Sequence, residues 1–310
     1  MTSFKNILVA TDTRLDDRTI VDEAALIAKN ENATVKIIDV VPEFPWVVRL
    51  SLQDHESIRE LVVSKKREQL EALADPLRQQ GLCVETDVLS GKTSVEIIRE
   101  VLRGKHDLVF RIAKGRDSRR EGYFGATGIR LLRGCPCAVW LSTPAPSPEY
   151  KHVMACVDTS SDEPLDRELN DKVYDAAKFV SRQHESRLSL VHAWTIFGEE
   201  FLFTRTKMEN FEKLQRDVRE RIQVLLDKFL QKHASSVRDR NVHMLKGDAA
   251  LVLPAFASEK DVDLIVMGTV ARSGAAGLVM GNTAERILDQ IGCSVLALKP
   301  DDFVCPIRES

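Results

Sequence analysis

The residues whose types and spacing promise chemistry are concentrated in Gly268-Thr-Val-Ala271-Arg272-Ser273-Gly274-Ala-Ala-Gly277-Leu-Val-Met-Gly281-Asn282-Thr283-Ala-Glu-Arg286. This run follows an apolar stretch, Asp263-Leu-Ile-Val-Met267, and ends where a helical pattern resumes. Glycines let a backbone approach a ligand closely, and free amides at a helix start point at an anion. Asn282 and Thr283 can cap that helix or bond a phosphate. Asp12 and Asp158 each close a short apolar run. A carboxylate there can accept hydrogen bonds from a ribose hydroxyl or a base, and the same position suits a turn or a helix cap. The residues alone leave those two readings level.

Other chemistries find little support. Neither a Gly-x-Ser-x-Gly nucleophile turn nor a Gly-Lys-Ser/Thr phosphate loop occurs. Synthetases of related folds carry His-x-Gly-His and ATP pyrophosphatases Ser-Gly-Gly-x-Asp-Ser, and neither motif follows Asp12 or Asp158. The seven histidines have no metal-ligand spacing, and His192 reads as structural although it lies near the candidate site. Six cysteines include no Cys-x-x-Cys pair. Cys135 and Cys137 read as sharing one face of a strand, with Cys156 and Cys293 in apolar runs, all as small apolar side chains without disulfides. A zinc site would need two further ligands from elsewhere. The carboxylates after Asp158, among them Asp162 and Asp166, fit no calcium-loop pattern and read as a solvated lead-in to a helix.

These residues are positioned by a chain that repeats itself. Asn6-Ile-Leu-Val-Ala-Thr-Asp12 matches His152-Val-Met-Ala-Cys-Val-Asp158. Farther on, a constant offset of 156 pairs Gly91 with Gly247, Asp107 with Asp263, Gly125 with Gly281, Thr127 with Thr283, Arg130 with Arg286 and Cys137 with Cys293. Within each half, strands alternate with helices. The first half reads as strands at 7–11, 34–41, 83–89, 108–112 and 138–141, with helices near 20–29, 54–79, 94–102 and 127–133. In the second, Phe211, Leu214, Val218, Ile222, Leu225 and Phe229 recur at three- and four-residue steps, marking its long helix. Alternation of this kind predicts parallel sheets covered on both faces, an α/β doubly wound architecture in two tandem copies. The expected domains are 1–143 and 150–310, joined by a stiff proline-rich linker at 144–149. In such sheets ligands bind beyond the carboxyl ends of the strands, where Asp12, Asp158 and the two loops are expected.

Two repeats, an Asp closing each first strand, and a Gly-x-x-Gly-x9-Gly-Ser/Thr-like loop before the last helix resemble the universal stress protein family. The tail Gly281-Asn-Thr-Ala-Glu-Arg-Ile with Lys299-Pro300-Asp301 is similar to its tandem, E-type branch. The resemblance spans essentially the whole chain. It implies five-stranded sheets of order 3-2-1-4-5 (the adenine nucleotide alpha hydrolase-like fold), and pairing of the halves through their last strands as a pseudo-dimer. It further implies a role in stress survival, motility or adhesion, and ATP binding, with Mg on its phosphates, without efficient hydrolysis. Carried over to this chain, Asp158 stands at the adenosine-contacting Asp and Ala193 at a backbone contact to adenine, with Gly268 and Gly281 in the loop. Ala271, beside Arg272, replaces the middle Gly, and Asn282 replaces Ser/Thr, with Thr283 next to it. The first half departs further. Ile112 replaces the first Gly, Gly115 and Gly125 remain, and Ala126 precedes Thr127. Its loop is crowded with Lys114, Arg116, Asp117, Arg119, Arg120 and Glu121. That cluster either holds an anionic group or is a solvated loop whose nucleotide role is lost.

A rival to ATP comes from two apolar connections after the second strands. One contains Phe44, Trp46 and Val48, the other Trp194, Ile196, Phe197 and Phe203. They line a site for an apolar or lipid-like ligand, cover a partner surface, or pack on the long helices. A ligand-free pairing scaffold, alone or as a homodimer, is the third reading. Over 310 residues, 44% are apolar and 29% charged, and the net charge of −3 gives no electrostatic argument for nucleic acid or an anionic membrane. The N-terminus has no signal pattern and no run reaches membrane-span length, so a cytoplasmic, non-enzymatic binding protein is expected.

Overall fold

The computed structural model describes residues 3–13, 18–43, 55–113, 124–143, 150–161, 163–196, 198–199, 201, 203, 208–270 and 280–309. In the first half, strands β1 (Asn6–Ala10), β2 (Thr34–Val41), β3 (Val84–Ser90), β4 (Leu108–Ile112) and β5 (Ala138–Ser142) alternate with helices. Those helices are α1 (Arg18–Glu31), α2 (His55–Gln79), α3 (Thr93–Gly104) and α4 (Ala126–Gly134). The second half repeats the order with β6 (His152–Cys156), α5 (Pro164–Gln183), β7 (Arg187–Trp194), α6 (Met208–Gln231), β8 (Val242–Lys246), α7 (Ala249–Glu259), β9 (Leu264–Gly268), α8 (Asn282–Leu288) and β10 (Ser294–Leu298).

Within each half the strands are parallel in the order 3-2-1-4-5. The halves do not form two separate sheets. Strands β5 and β10 pair antiparallel, Leu141 opposite Val295 and Val139 opposite Ala297, giving one ten-stranded sheet. The inner strands are largely apolar because helices cover both faces, whereas the edge strands β3 and β8 are only partly buried. Ile7 and Val9 face the layer of α1, α2, α5 and α6, whereas Leu8 and Ala10 face that of α3, α4, α7 and α8.

The aspartates paired by the repeat have a structural task. Asp107 accepts the amides of Lys5 and Asn6, and Asp263 accepts those of Lys151 and His152, clamping the start of β1 and of β6. Further bonds tie the halves together. The buried Glu23 of α1 meets His184 Nε2 at 2.8 Å, Trp140 Nε1 donates to Tyr150 Oη at 3.1 Å, and Arg133 pairs with Glu285. Lys299, just after β10, reaches across to donate its Nζ to Leu132 O at 2.6 Å. Burial lowers the pKa of that ammonium to about 8.

Cys135 and Cys137 lie in the turn before β5, not in the strand, with their sulfurs 3.5 Å apart. Proline between them and the end of α4 delay the strand until Ala138. All six cysteines are free thiols. Burial pushes the Cys156 thiol up and raises Cys293 to about 12, so both stay protonated apolar side chains. Among the described residues no helix is long and apolar enough to cross a membrane. The linker at 144–149 and the first-half loop residues 114–123 lie outside the described residues.

Candidate functional site

Asp158, Ala193, Gly268, Gly281, Asn282 and Thr283 line one cavity of about 440 Å³ beyond the carboxyl ends of β6, β7 and β9. Ala271 and Arg272 lie outside the described residues. The position agrees with the rule that ligands of open parallel sheets sit where neighbouring crossovers diverge. Its volume lies in the range of small-molecule sites.

The turn after β6 is set by two side chains. Asn170 on α5 grips the Asp158 backbone reciprocally: its Nδ2 donates to Asp158 O at 2.7 Å, and Asp158 N donates to its Oδ1 at 2.9 Å. Asp158 Oδ1 in turn accepts the Ser160 amide at 3.0 Å and the Ser160 hydroxyl at 2.6 Å. The same carboxylate therefore holds a turn, as one of the two sequence readings expected, and also stands on the cavity wall. Beside it, Asp166 also lines the cavity. The remaining wall is largely apolar, with Leu169 and Val173 from α5, Leu253 from α7 and Met267 from β9.

At Gly268 the local geometry requires a missing side chain. A Cβ there would lie 2.6 Å from Leu169 Cδ2, so any larger residue drives Leu169 from its place on the cavity wall. Past β9 the loop stem closes through Thr269 N to Leu298 O at 3.2 Å and Gly281 N to Thr269 O at 3.0 Å. Asn282 and Thr283 do not cap α8. Its N-cap is Gly281 without a side-chain bond, and both side chains stand exposed on the cavity side instead. The helix has only seven residues, too short for its dipole to dominate the site.

The first half builds the same stem with bulkier side chains at the end of its fourth strand. Ala113 N bonds Ser142 O and Gly125 N bonds Ala113 O, both at 2.7 Å, repeating the second half at the offset of 156. Ile112, however, stands where Gly268 stands, and is buried. Arg111 replaces Met267 and sends Nη1 across the strand ends to Ala10 O at 3.2 Å and Thr11 O at 3.3 Å. Asp39 of β2 accepts both the Thr13 amide at 2.9 Å and the Thr13 hydroxyl at 2.7 Å, and pairs with Lys66. Asp12 is itself buried. Arg111 was invisible to motif reading because it sits inside a strand, outside the glycine loop. Asn170 was missed for the same kind of reason, being an ordinary polar residue in a helix.

His192 is fully buried, with Nδ1 3.2 Å from Val157 O, and does not line the cavity. Trp194 packs with Ile196, Phe211 and Ile222 in a small apolar cluster on α6, also away from the cavity. Phe44, Trp46 and Phe197 lie outside the described residues. Among the described residues no group of three or more His, Cys, Asp or Glu side chains is arranged to hold a metal ion.

Comparison with known proteins places this architecture. Universal stress protein E of Salmonella typhi is 27% identical over 312 aligned positions, covering 99% of this chain and 98% of its own. The protein of the same name from Escherichia coli strain K12 aligns over the same extent at 27% identity. Among solved structures, a functionally unknown protein from Pseudomonas aeruginosa PAO1 superposes with a TM-score of 0.74 at 23% identity, covering 96% of this chain and 94% of its own. A universal stress protein from Archaeoglobus fulgidus gives a TM-score of 0.64 at 15% identity over 94% of this chain and 98% of its own. The model of the universal stress protein family matches twice, at residues 3–142 and 149–299, so the chain belongs to that family and carries two of its domains in tandem.

Proposed function

We propose that this protein is a stress-response binding protein that takes one adenine nucleotide per chain, in the second half, with the domains at 1–143 and 150–310 joined by the linker 144–149. The observation that carries this reading is the convergence of Asp158, Ala193, Gly268, Gly281, Asn282 and Thr283 on one cavity. Its apolar walls suit the faces of a base, and the Asp158 carboxylate suits ribose hydroxyls. Asn282 and Thr283 offer an amide and a hydroxyl to phosphate oxygens. Asp158 and Asp166 would repel a bare triphosphate. Magnesium relieves that repulsion, and two carboxylates are what it uses when phosphates supply its other ligands. The family is generally not enzymatic, and among the described residues no nucleophile–base pair lines the cavity, which favours the nucleotide as a bound signal rather than a substrate.

Calorimetric titration of the purified chain with magnesium ATP tests this directly. The expected result is saturation at one equivalent, with Asp158→Ala weakening binding about tenfold or more through loss of a charge-assisted bond. Absence of saturable binding overturns the proposal, and two equivalents per chain overturn the assignment to the second half alone.

A further inference from the structure

The first half also has an open outer rim, away from Arg111 and Ile112. A cavity of about 320 Å³ remains there, bordered by Gly91–Ser94 at the entry to α3 and by Thr127 and Arg130 of α4. At the offset of 156 the second half has Asp248, Ala249 and Ala250 in place of Lys92, Thr93 and Ser94, while Thr283 and Arg286 repeat Thr127 and Arg130. The difference reverses the local charge.

In the second half the chain satisfies itself. Asp248 Oδ1 accepts the Ala250 amide at 3.0 Å, capping α7, and its Oδ2 pairs with Arg286 Nη2 at 2.8 Å. The first half has neither bond. Lys92 occupies the N-cap of α3 without a side-chain cap, and neither Lys92 nor Arg130 forms an ion pair among the described residues. Lys92 O takes the amides of Val95 and Glu96, and the two amides ahead of them, of Thr93 and Ser94, have no backbone acceptor among the described residues. A second, independent observation lies in Ser94. It is 3% exposed, lines the cavity, and among the described residues nothing accepts or donates to its hydroxyl. The side chain is otherwise enclosed and its hydroxyl opens onto the cavity, where a ligand oxygen can accept from it.

We infer that this rim binds a phosphate group, as inorganic phosphate or as a small phosphate monoester. Lys92 and Arg130 supply the charge, Ser94 and Thr127 the hydroxyl donors, and the start of α3 its free amides. A tetrahedral dianion with several strong acceptor oxygens matches donors arriving from two helices. The exposed Glu43 carboxylate at the cavity edge opposes a longer polyanion, which favours a single phosphate over a triphosphate. The site is independent of the nucleotide cavity and stands whether or not ATP binds there.

The test is calorimetric titration of the full chain with sodium phosphate and, separately, with glycerol phosphate. Lys92→Asp recreates the Asp248–Arg286 arrangement that the second half already folds with, and Ser94→Ala recreates Ala250. One saturable site is expected, weakened about tenfold or more by Lys92→Asp and a few-fold by Ser94→Ala. Asp248→Ala, at the matching helix start of the second half, is expected to leave phosphate binding unchanged, which places the site in the first half. Tighter binding of glycerol phosphate identifies a monoester as the ligand, and tighter binding of inorganic phosphate identifies the free ion. Should Lys92→Asp fail to fold by circular dichroism, Arg130→Gln carries the same expected loss. No saturable binding of either probe up to about 10 mM, or binding unaltered by the folded variants, overturns the inference.

Discussion

The cavity of the second half and the crevice of the first are the same construction with different contents. Both have a loop stem closed by the same two backbone bonds, on strands of the same order. Two adjacent positions at the end of the fourth strand separate them: Met267 and Gly268 on one side, Arg111 and Ile112 on the other. A glycine and a flexible thioether leave room. A branched side chain and a guanidinium bonded to strand-end carbonyls take up part of it. In a duplicated fold the backbone can thus be retained while the side chains behind the stem change, because closure of the stem rests on backbone bonds and the space behind it on those side chains.

The strongest way to break the comparison is to write the first half's residues into the second. Met267→Arg with Gly268→Ile is expected to reduce nucleotide binding at least about a hundredfold, roughly 3 kcal/mol. The isoleucine Cβ would meet Leu169, and the arginine would reach toward the carbonyls at the end of β6 as Arg111 does toward those of β1. Titration of the double variant, with circular dichroism to establish folding, reads the effect. A folded variant that still binds ATP normally would show that vacancy is controlled elsewhere.

That contrast also marks what could be read from the chain before its structure. The offset pairing Gly125 with Gly281 and Asp107 with Asp263 located the two loop stems and the two aspartate clamps, since each needs one residue type at one place. The long helices followed from their apolar spacing, which reflects burial directly. Periodicity does not encode partners, however. That β5 and β10 pair, joining residues about 150 positions apart, was implied by the family resemblance and not by the periodicity. Nor could it foresee Arg111, a charged residue in a buried strand whose meaning lies in the carbonyls it reaches. Asn170 was hidden likewise, since only the chain's path brings it against Asp158.

A second contrast lies under α3 and α7 and is expected to appear as acid sensitivity. Glu100 occupies the position that Phe256 fills in the second half. Burial alone would raise the Glu100 carboxyl, but His106, Lys36 and Arg103 outweigh it and hold its pKa at about 2, below the ordinary 4.5. A depressed folded-state pKa contributes stability that is complete above the unfolded value and is lost as pH falls from about 4.5 toward about 2. Hydrogen exchange resolved by half should therefore show protection declining first around α3 and β2, before α7. Glu100→Gln is expected to cost about 2 kcal/mol at neutral pH and to flatten that decline. Equal acid sensitivity in both halves would refute the assignment to Glu100.

The smallest expected effect bears on the charge reversal at the helix starts. Asp248→Ala removes a side-chain cap and an exposed ion pair, costing about 1 kcal/mol for the cap and at most a few tenths for the pair. The Ala250 amide holds the Asp248 carboxyl below its ordinary range, so this contribution is present at neutral pH and fades in acid. Lys92→Ala removes neither a cap nor an ion pair, and its expected cost in phosphate-free buffer is within about 0.5 kcal/mol. Urea denaturation of the two variants provides the measurement. If added phosphate stabilises the parent chain and Asp248→Ala but not Lys92→Ala, the first helix start is capped by a ligand where the second is capped by its own carboxylate. Equal stabilisation of all three would mean that phosphate acts elsewhere and that Lys92 is a surface charge.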